Sequence, residues 1–386
     1  MSEPRFGRAA LGEFLLAAEF IHLNHGSYGA VPRHVLAEQD RLRAHIERDA
    51  TTYFQDEFPQ AIRRMAGVAA SHFGGSANDW VFCENATAAV NSILASLPLL
   101  AGDELVTTSH AYGAVAKAMR IWAERCGGKV VRAEIPSIVE SEDEIVAAIE
   151  YAFTPRTKLL VTDHITSATA IVFPVARIVE AAHRANVPVL IDGAHAPGHI
   201  ALDVPSIGAE WYAGNAHKWL FAPKGCGLLW TAPAQQDLTR PAVLSHGSPD
   251  GYTQAFDWIG TRDITPWLCL EAAIAAHENF GGAFLMARNR ALADEGAAHV
   301  AGAFNGTTSA PPELRGAMAS IRLGPAPAQP EKSRILRQRL VKEFGIVVPV
   351  FAFADQLWVR ISAQIYNEIE DYDRLAGALR KALSGA

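Results

Sequence analysis

The chain has 386 residues, enough for two domains at roughly 150 residues each. With 49% hydrophobic and 19% charged residues it can bury a large core, which excludes a disordered or low-complexity protein. Lys and Arg total 34 against 41 Asp and Glu, a net charge of -7 without long runs of either sign, so neither nucleic acid nor an anionic membrane is expected as a partner. The amino terminus, from Met1 through Arg8 into an apolar stretch broken by Glu13 and Glu19, lacks the pattern of a signal peptide. No apolar run approaches the roughly 18 to 20 residues of a membrane-spanning helix. Cys83, Cys126, Cys226 and Cys269 lie far apart with no C-x-x-C pair, which fits a reduced, cytoplasmic setting and no zinc or dithiol centre.

From about residue 79, short apolar runs alternate with longer helical patterns, the rhythm of parallel βαβ units. Strands are predicted at Trp80–Cys83, Glu104–Thr107, Lys129–Arg132, Lys158–Thr162 and Pro188–Asp192, with two more at Trp211–Ala213 and Gly227–Trp230. Helices fall between them, from about Thr87, then at Ala114–Ala123, Glu142–Tyr151 and Val175–Ala185. Beyond about residue 265 come long helices, a strand near Met318–Leu323, a helix at Glu331–Phe344, strands at Ile346–Phe353 and Leu357–Ile361, and a last helix near Glu368–Ala382. The Gly- and Pro-rich run Gly324–Pro330 reads as a loop. The expected organisation is an α/β large domain over residues 23–264 and a smaller α+β domain over residues 265–386, with residues 1–22 packed on the latter.

An open α/β sheet suggests nucleotide chemistry, but G-x-G-x-x-G, a Walker loop, G-x-S-x-G and H-E-x-x-H are all missing. His195 and His199 have a spacing that would ligate a metal from one helix, yet Pro197 and Gly198 break that helix, and no metal is expected. What remains is Asp192-Gly193-Ala194-His195 at a strand end, followed by Gly214-Asn215-Ala216-His217-Lys218-Trp219 after a later strand. Ligands of open α/β sheets bind at the carboxyl ends of strands. A carboxylate and a lysine placed there are what an aldehyde cofactor needs: the lysine forms a Schiff base and the acid keeps a pyridine nitrogen protonated. Taken singly, the two residues also read as a helix-capping Asp and a solvated Lys.

These segments, with Leu23-Asn24-His25-Gly26-Ser27-Tyr28-Gly29-Ala30-Val31-Pro32 before them, resemble the class V aminotransferase-like, fold-type-I pyridoxal 5'-phosphate enzymes, and within them the isopenicillin N epimerase-like branch. The resemblance spans roughly residues 20 to 375. It implies a large domain with a mainly parallel seven-stranded sheet, plus the smaller α+β domain. It implies Lys218 as the imine lysine and Asp192 as partner of the pyridinium nitrogen. Ala86, Thr87, Asn215 and His217 would hold the phosphate, although Thr87 also suits a plain helix N-cap. Ser167 and His195 match the contacts to the phenolic oxygen. Tyr112 is the first choice to stack on the ring and His110 the reserve.

Arg360, in Trp358-Val359-Arg360-Ile361-Ser362, matches a carboxylate clamp, for which a structural ion pair is the alternative. Asn24, His25 and Tyr28 are expected near the substrate, with His25, Tyr28 and Tyr112 as candidates for a second acid. Thr261, in Gly260-Thr261-Arg262-Asp263, matches a segment that reaches a neighbouring subunit's phosphate, implying a homodimer with its sites at the interface. The stretch Val347–Asp355 lacks the nucleophilic cysteine of desulfurases, and Cys269 lies too far upstream to replace it. The expected activity is therefore amino-acid epimerisation or racemisation through Lys218. C–S β-lysis or transamination is the alternative, desulfuration is disfavoured, and a non-catalytic binding protein with the same fold is the rival from another class.

Overall fold

The computed structural model describes residues 5–327 and 330–384. Its strands are β1 (Ile21–His22), β2 (Trp80–Cys83), β3 (Glu104–Thr108), β4 (Lys129–Ala133), β5 (Thr157–Asp163), β6 (Val189–Gly193), β7 (Trp211–Asn215) and β8 (Gly227–Thr231). Later in the chain come β9 (Thr307–Thr308), β10 (Met318–Pro327), β11 (Ile346–Val347), β12 (Val350–Phe353) and β13 (Gln356–Ser362).

Seven strands form one sheet in the order β2-β8-β7-β6-β5-β3-β4, with every pair parallel except those made by β8. Strands β2, β3, β6, β7 and β8 are buried at every residue, as strands covered on both faces must be. Alternation sends neighbouring residues to opposite sides. Ile191, Leu160 and Tyr212 pack with Ile145 and Ile178 from the helices Glu142–Tyr151 and Val175–Arg184. Leu190, Val161 and Leu105 pack on the other face with Ile93 and Met119 from the helices Ala86–Ser96 and Gly113–Arg125. At one edge β5, β6 and β7 end in Asp163, Asp192-Gly193 and Asn215, and the chain leaving β2 turns into the helix Ala86–Ser96. That edge is where an open α/β sheet places its ligand.

The second sheet is antiparallel, in the order β12-β13-β10-β9. Val359 and Ile361 of β13 face an apolar layer with Ala297, Leu340, Leu375 and Leu379, contributed by the helices Ala283–Gly302, Pro330–Phe344 and Ile369–Ser384. The period of two therefore turns Arg360 to the opposite face. The helices Thr265–Leu268 and Leu270–Asn279 give Trp267, Leu270 and Ala273 to the core of the large sheet. Ahead of both sheets, Ala10 and Phe14 pack with Val35, Phe221, Phe280 and Tyr366, and β1 pairs in parallel with β11.

Two expectations are corrected. The expected strand Ile346–Phe353 is two strands, β11 and β12, separated at Val348-Pro349. The stretch read as a loop over Gly324–Pro330 continues β10 as far as Pro327, which pairs with Gln356 after a register shift following Arg322. A bulge lets a proline, which has no N–H to give a ladder, be carried in a strand. Residues 328 and 329 of that run lie outside the described residues, as do residues 1–4 and 385–386 of the expected domains.

Gly29 joins the amino-terminal segment to the lysine-bearing turn. Its φ of +67° is left-handed, and a Cβ there would lie 2.3 Å from the His217 carbonyl oxygen and 2.6 Å from that of Lys218. Gly29→Ala should cost at least about 2 kcal/mol in a urea titration, since backbone rather than a flexible side chain must yield. The same variant should take up cofactor more weakly.

Candidate active site

A cavity of about 580 Å³ opens at the carboxyl edge of the large sheet. Its walls include Tyr28, Ala86, Thr87, Tyr112, Ser167, Asp192, His195, Asn215, His217, Lys218 and Arg360, so most of the residues expected at the site meet in one place. Asp163, which sequence reasoning did not single out, lines it too.

Lys218 follows β7 by three residues, in a turn closed by hydrogen bonds from the Ala216 amide to Cys226 O and from the Ala222 amide to Ala216 O. Phe221 in this turn is left-handed at φ +67° and fully buried, a strain of order 1–3 kcal/mol that packing must offset. Burial lowers the Lys218 pKa from 10.5 to about 8, with Asp192 and Asp163 opposing the shift and Arg360 adding to it. A substantial neutral amine population, which a nucleophile requires, is thus present near pH 8. Nζ lies 3.2 Å from His195 Nε2. The Trp219 indole N–H points at His195 Nδ1 from 3.4 Å, which assigns the imidazole proton to Nε2 and suits an uncharged, accepting amine. Burial first, then Lys218, holds the His195 pKa well below its ordinary value.

Asp192 ends β6 with its Oδ1 accepting the Ala194 amide at 3.0 Å. Burial raises its pKa, and the Ala194 amide and Lys218 oppose the rise. At the start of the helix Ala86–Ser96, the Ala86 amide donates to Asn215 Oδ1 at 2.8 Å and the Ala88 amide to Asn85 Oδ1 at 2.9 Å. Asn85 is thus the N-cap, and Thr87, free of that duty, lines the cavity on the helix's first turn. First-turn amides and the helix dipole suit a phosphate there. The His217 Nδ1–H donates to Cys226 O at 3.1 Å, and burial lowers the His217 pKa to about 4.

Arg360 is 4% exposed. Its Nη1 donates to Ser167 O, and its Nη2 to Ser27 Oγ at 2.9 Å and to Asn24 Oδ1 at 3.3 Å, while its Nε is buried without a partner. All these acceptors are neutral, and burial lowers the guanidinium pKa to about 10. The ion-pair alternative does not describe this geometry. The guanidinium therefore keeps donor capacity that none of these contacts uses. Asn24, expected near substrate, does not line the cavity; its Oδ1 accepts from Arg360.

Three expected residues stand elsewhere. His25 does not line the cavity. Its Nε2–H donates to Lys218 O at 3.0 Å, its Nδ1 accepts from the Tyr366 hydroxyl at 2.9 Å, and burial lowers its pKa to about 3. It holds the lysine's peptide rather than a proton for substrate. His110 is 1% exposed, bonded through Nδ1 to Thr169 and through Nε2 to backbone carbonyls at Ile135 and Pro136, and it is Tyr112, not His110, that lines the cavity. Thr261 is exposed and outside this cavity; its neighbour Arg262 pairs with Glu84 at 2.6 Å. The His195 and His199 pair is no metal site. His199 spends Nδ1 on His195 O and Nε2 on the Ala317 amide, while its ring stacks on Trp219 at 4.1 Å.

The Aminotransferase class-V family model matches residues 31–375. The chain belongs to that family. It is 32% identical to an isopenicillin N epimerase of Streptomyces clavuligerus, over 97% of this chain and 98% of the relative. It is 31% identical to a putative L-cysteine desulfhydrase of Oryza sativa subsp. japonica, over 98% and 87%. A solved C-DES mutant with glycine covalently linked to its PLP cofactor superposes with a TM-score of 0.81 at 20% identity, covering 96% of this chain and 98% of that one. The fold is that of the fold-type-I enzymes, and this class-V protein is a pyridoxal 5'-phosphate-dependent enzyme. The residues present fit the cofactor: a buried amine near neutrality, a buried carboxyl at a strand end and the first turn of a helix meet in one cavity.

Apoprotein given pyridoxal 5'-phosphate should gain its visible absorption at a rate that rises with pH and levels above about pH 8, not near 10.5, because the neutral amine of Lys218 is the reacting form. Borohydride reduction followed by peptide mapping should place the label on Lys218, and Lys218→Ala should take up none.

Proposed function

We propose that this enzyme epimerises or racemises an amino acid at Cα, using Lys218 as the base that takes the Cα proton. The observation that carries the reading is the buried Arg360 fork, unpaired by any carboxylate among the described residues and set in the same cavity as the Lys218 amine. The fork anchors the substrate α-carboxylate, and Ser27 and Asn24 fix its plane. When bound, pyridoxal 5'-phosphate draws off the electron pair left at Cα, and a carboxylate at Asp192 favours the protonated ring nitrogen that does this. Lys218 keeps the proton it has taken, and inversion requires the new proton to reach Cα from the opposite face. The phenol of Tyr112, 46% exposed, or of Tyr28, 72% exposed, supplies the opposite face from the cavity mouth. General acid–base help of this kind is worth about 10²- to 10⁴-fold. The likeness to the isopenicillin N epimerase supports this outcome.

A second reading, C–S β-lysis, is favoured by the likeness to the desulfhydrase and by Lys218 being the cavity-lining amine poised near neutral pH. Desulfuration through a cysteine persulfide is unsupported. Among the described residues no cysteine lines the cavity, and burial pushes the thiols of Cys83 and Cys226 up and that of Cys269 to about 12. The active unit is a homodimer in this reading, with the segment that carries the exposed Thr261 approaching the partner's phosphate site. Sedimentation equilibrium should return twice the chain mass.

Candidate amino acids incubated with holoenzyme in heavy water should acquire deuterium at Cα and lose optical purity, with substrate recovered intact. Release of a keto acid with thiol or sulfide, without inversion, would assign the lyase instead. Arg360→Lys keeps the charge but loses the fork. It should lower kcat/KM roughly 10- to 100-fold, about 1.4–2.7 kcal/mol, chiefly through KM, with the cofactor spectrum unchanged.

A further inference from the structure

Asp163 and Asp192 are Cα partners in the parallel register of β5 and β6. Adjacent strands lie about 4.8 Å apart, and partners in register point to the same face. Both side chains are 4% exposed, and both line the cavity. Two carboxyls so placed cannot both ionise without severe repulsion, because a buried site lacks the water that would screen them. Lys218 is the cation whose field both feel, and the neutral His195 lies beyond it.

The two are not equivalent. Asp192 accepts the Ala194 amide, a bond that favours its anion. The Asp163 pKa lies well above the ordinary range, through burial first and the Asp192 charge second, with the amides of Asp163 and Tyr112 and the Lys218 charge only partly opposing. The tyrosine behind Asp192, Tyr212, hydrogen-bonds to His164 at 2.8 Å, so its hydroxyl is already engaged.

We propose that Asp163 is a positioning residue that holds its proton at neutral pH and donates it as a hydrogen bond to Asp192, keeping Asp192 ionised and aimed at the cofactor ring nitrogen. The inference rests on the cofactor site described above and goes beyond it by assigning a second carboxyl with a fixed protonation state. Asp163 touches neither substrate nor cofactor in this role and acts through Asp192. One proton serves the pair, and no proton is exchanged with substrate.

The test uses the apoprotein and the holoenzyme. In apoprotein at pH 8, the infrared difference between wild type and Asp163→Asn should show the carbonyl stretch of a protonated carboxylic acid, shifted in heavy water. Asp257, whose carboxyl is raised to about 6 by burial, is ionised at that pH and does not interfere. In holoenzyme, Asp163→Asn keeps a neutral donor, so its cofactor dissociation constant should stay within about threefold of wild type and the pH titration of its visible band should be unchanged. Asp163→Ala removes the donor and should weaken cofactor binding by 10-fold or more, with the band's titration displaced. An infrared spectrum without the protonated-acid signal overturns the proposal, and so does Asp163→Asn matching Asp163→Ala. If wild type itself binds no cofactor while the infrared signal is present, the cofactor reading fails and the protonated carboxyl stands. Thermal denaturation of each apoprotein separates these results from misfolding.

Discussion

The constraint on which this site depends is the removal of an amine from water. A buried ammonium costs several kcal/mol even after relaxation, and the chain meets that cost partly by lowering the Lys218 pKa and partly by surrounding it with carboxyl groups. Arg360 raises the demand, since a second cation shares the cavity without a carboxylate of its own. Two cations and two carboxyls are nearly balanced on paper, but the carboxyls stand side by side on neighbouring strands and repel each other. A ligand bringing a carboxylate to Arg360 would satisfy a donor the protein leaves unused, and Lys218 is the amine that would hold an aldehyde cofactor.

Holding that amine in place falls to backbone and aromatic contacts. The Trp219 ring lies between His25, at 5.0 Å, and His199, stacked at 4.1 Å. His25 grips the Lys218 carbonyl, and His199 ties His195 O to the Ala317 amide just before β10. Each of these histidines is buried, and burial lowers each pKa to about 3, so each serves as a neutral fixed connector. Through them the small sheet, the amino-terminal segment and the lysine turn are joined by direct hydrogen bonds and ring contacts. Arg360 extends the same logic, because it stands on β13 yet donates to Ser167 beyond β5 and to Asn24 and Ser27 near the amino terminus.

How legible this was follows from which distances are local. The strands of the large sheet show in the sequence because burial on both faces writes continuous apolar runs, and a charged residue ending such a run marks the ligand edge. Asp192 and Lys218 were readable for that reason, as was Thr87 at a strand-to-helix turn. Asp163 carries the same mark one position after the apolar run Lys158–Thr162, and stopping the strand at Thr162 hid it. The directions of His25 and His110 were not readable. His25 opens the four-residue helix His25–Tyr28 and His110 sits in a turn, both too short for a period to fix which way a ring points, and both rings are captured by partners remote in sequence, Tyr366 and Thr169. The pairing of β1 with β11 was equally hidden, since a two-residue strand has no pattern of its own.

The displacement of His25 from the cavity changes what each reaction demands. With that imidazole committed to a backbone carbonyl, the proposed epimerisation would draw its opposite-face proton from the cavity-lining phenols Tyr112 or Tyr28. Both phenols are partly open to water, so a proton delivered from that side can be replaced from solvent between turnovers. A lyase has no such need, because its second bond breaks by departure of the side-chain group and Lys218 alone can manage the proton. The chemistry that separates the two outcomes therefore lies at the mouth of the cavity, in how tightly the substrate side chain and these two rings close it, while the deep end built from Lys218, Asp192 and Arg360 serves either.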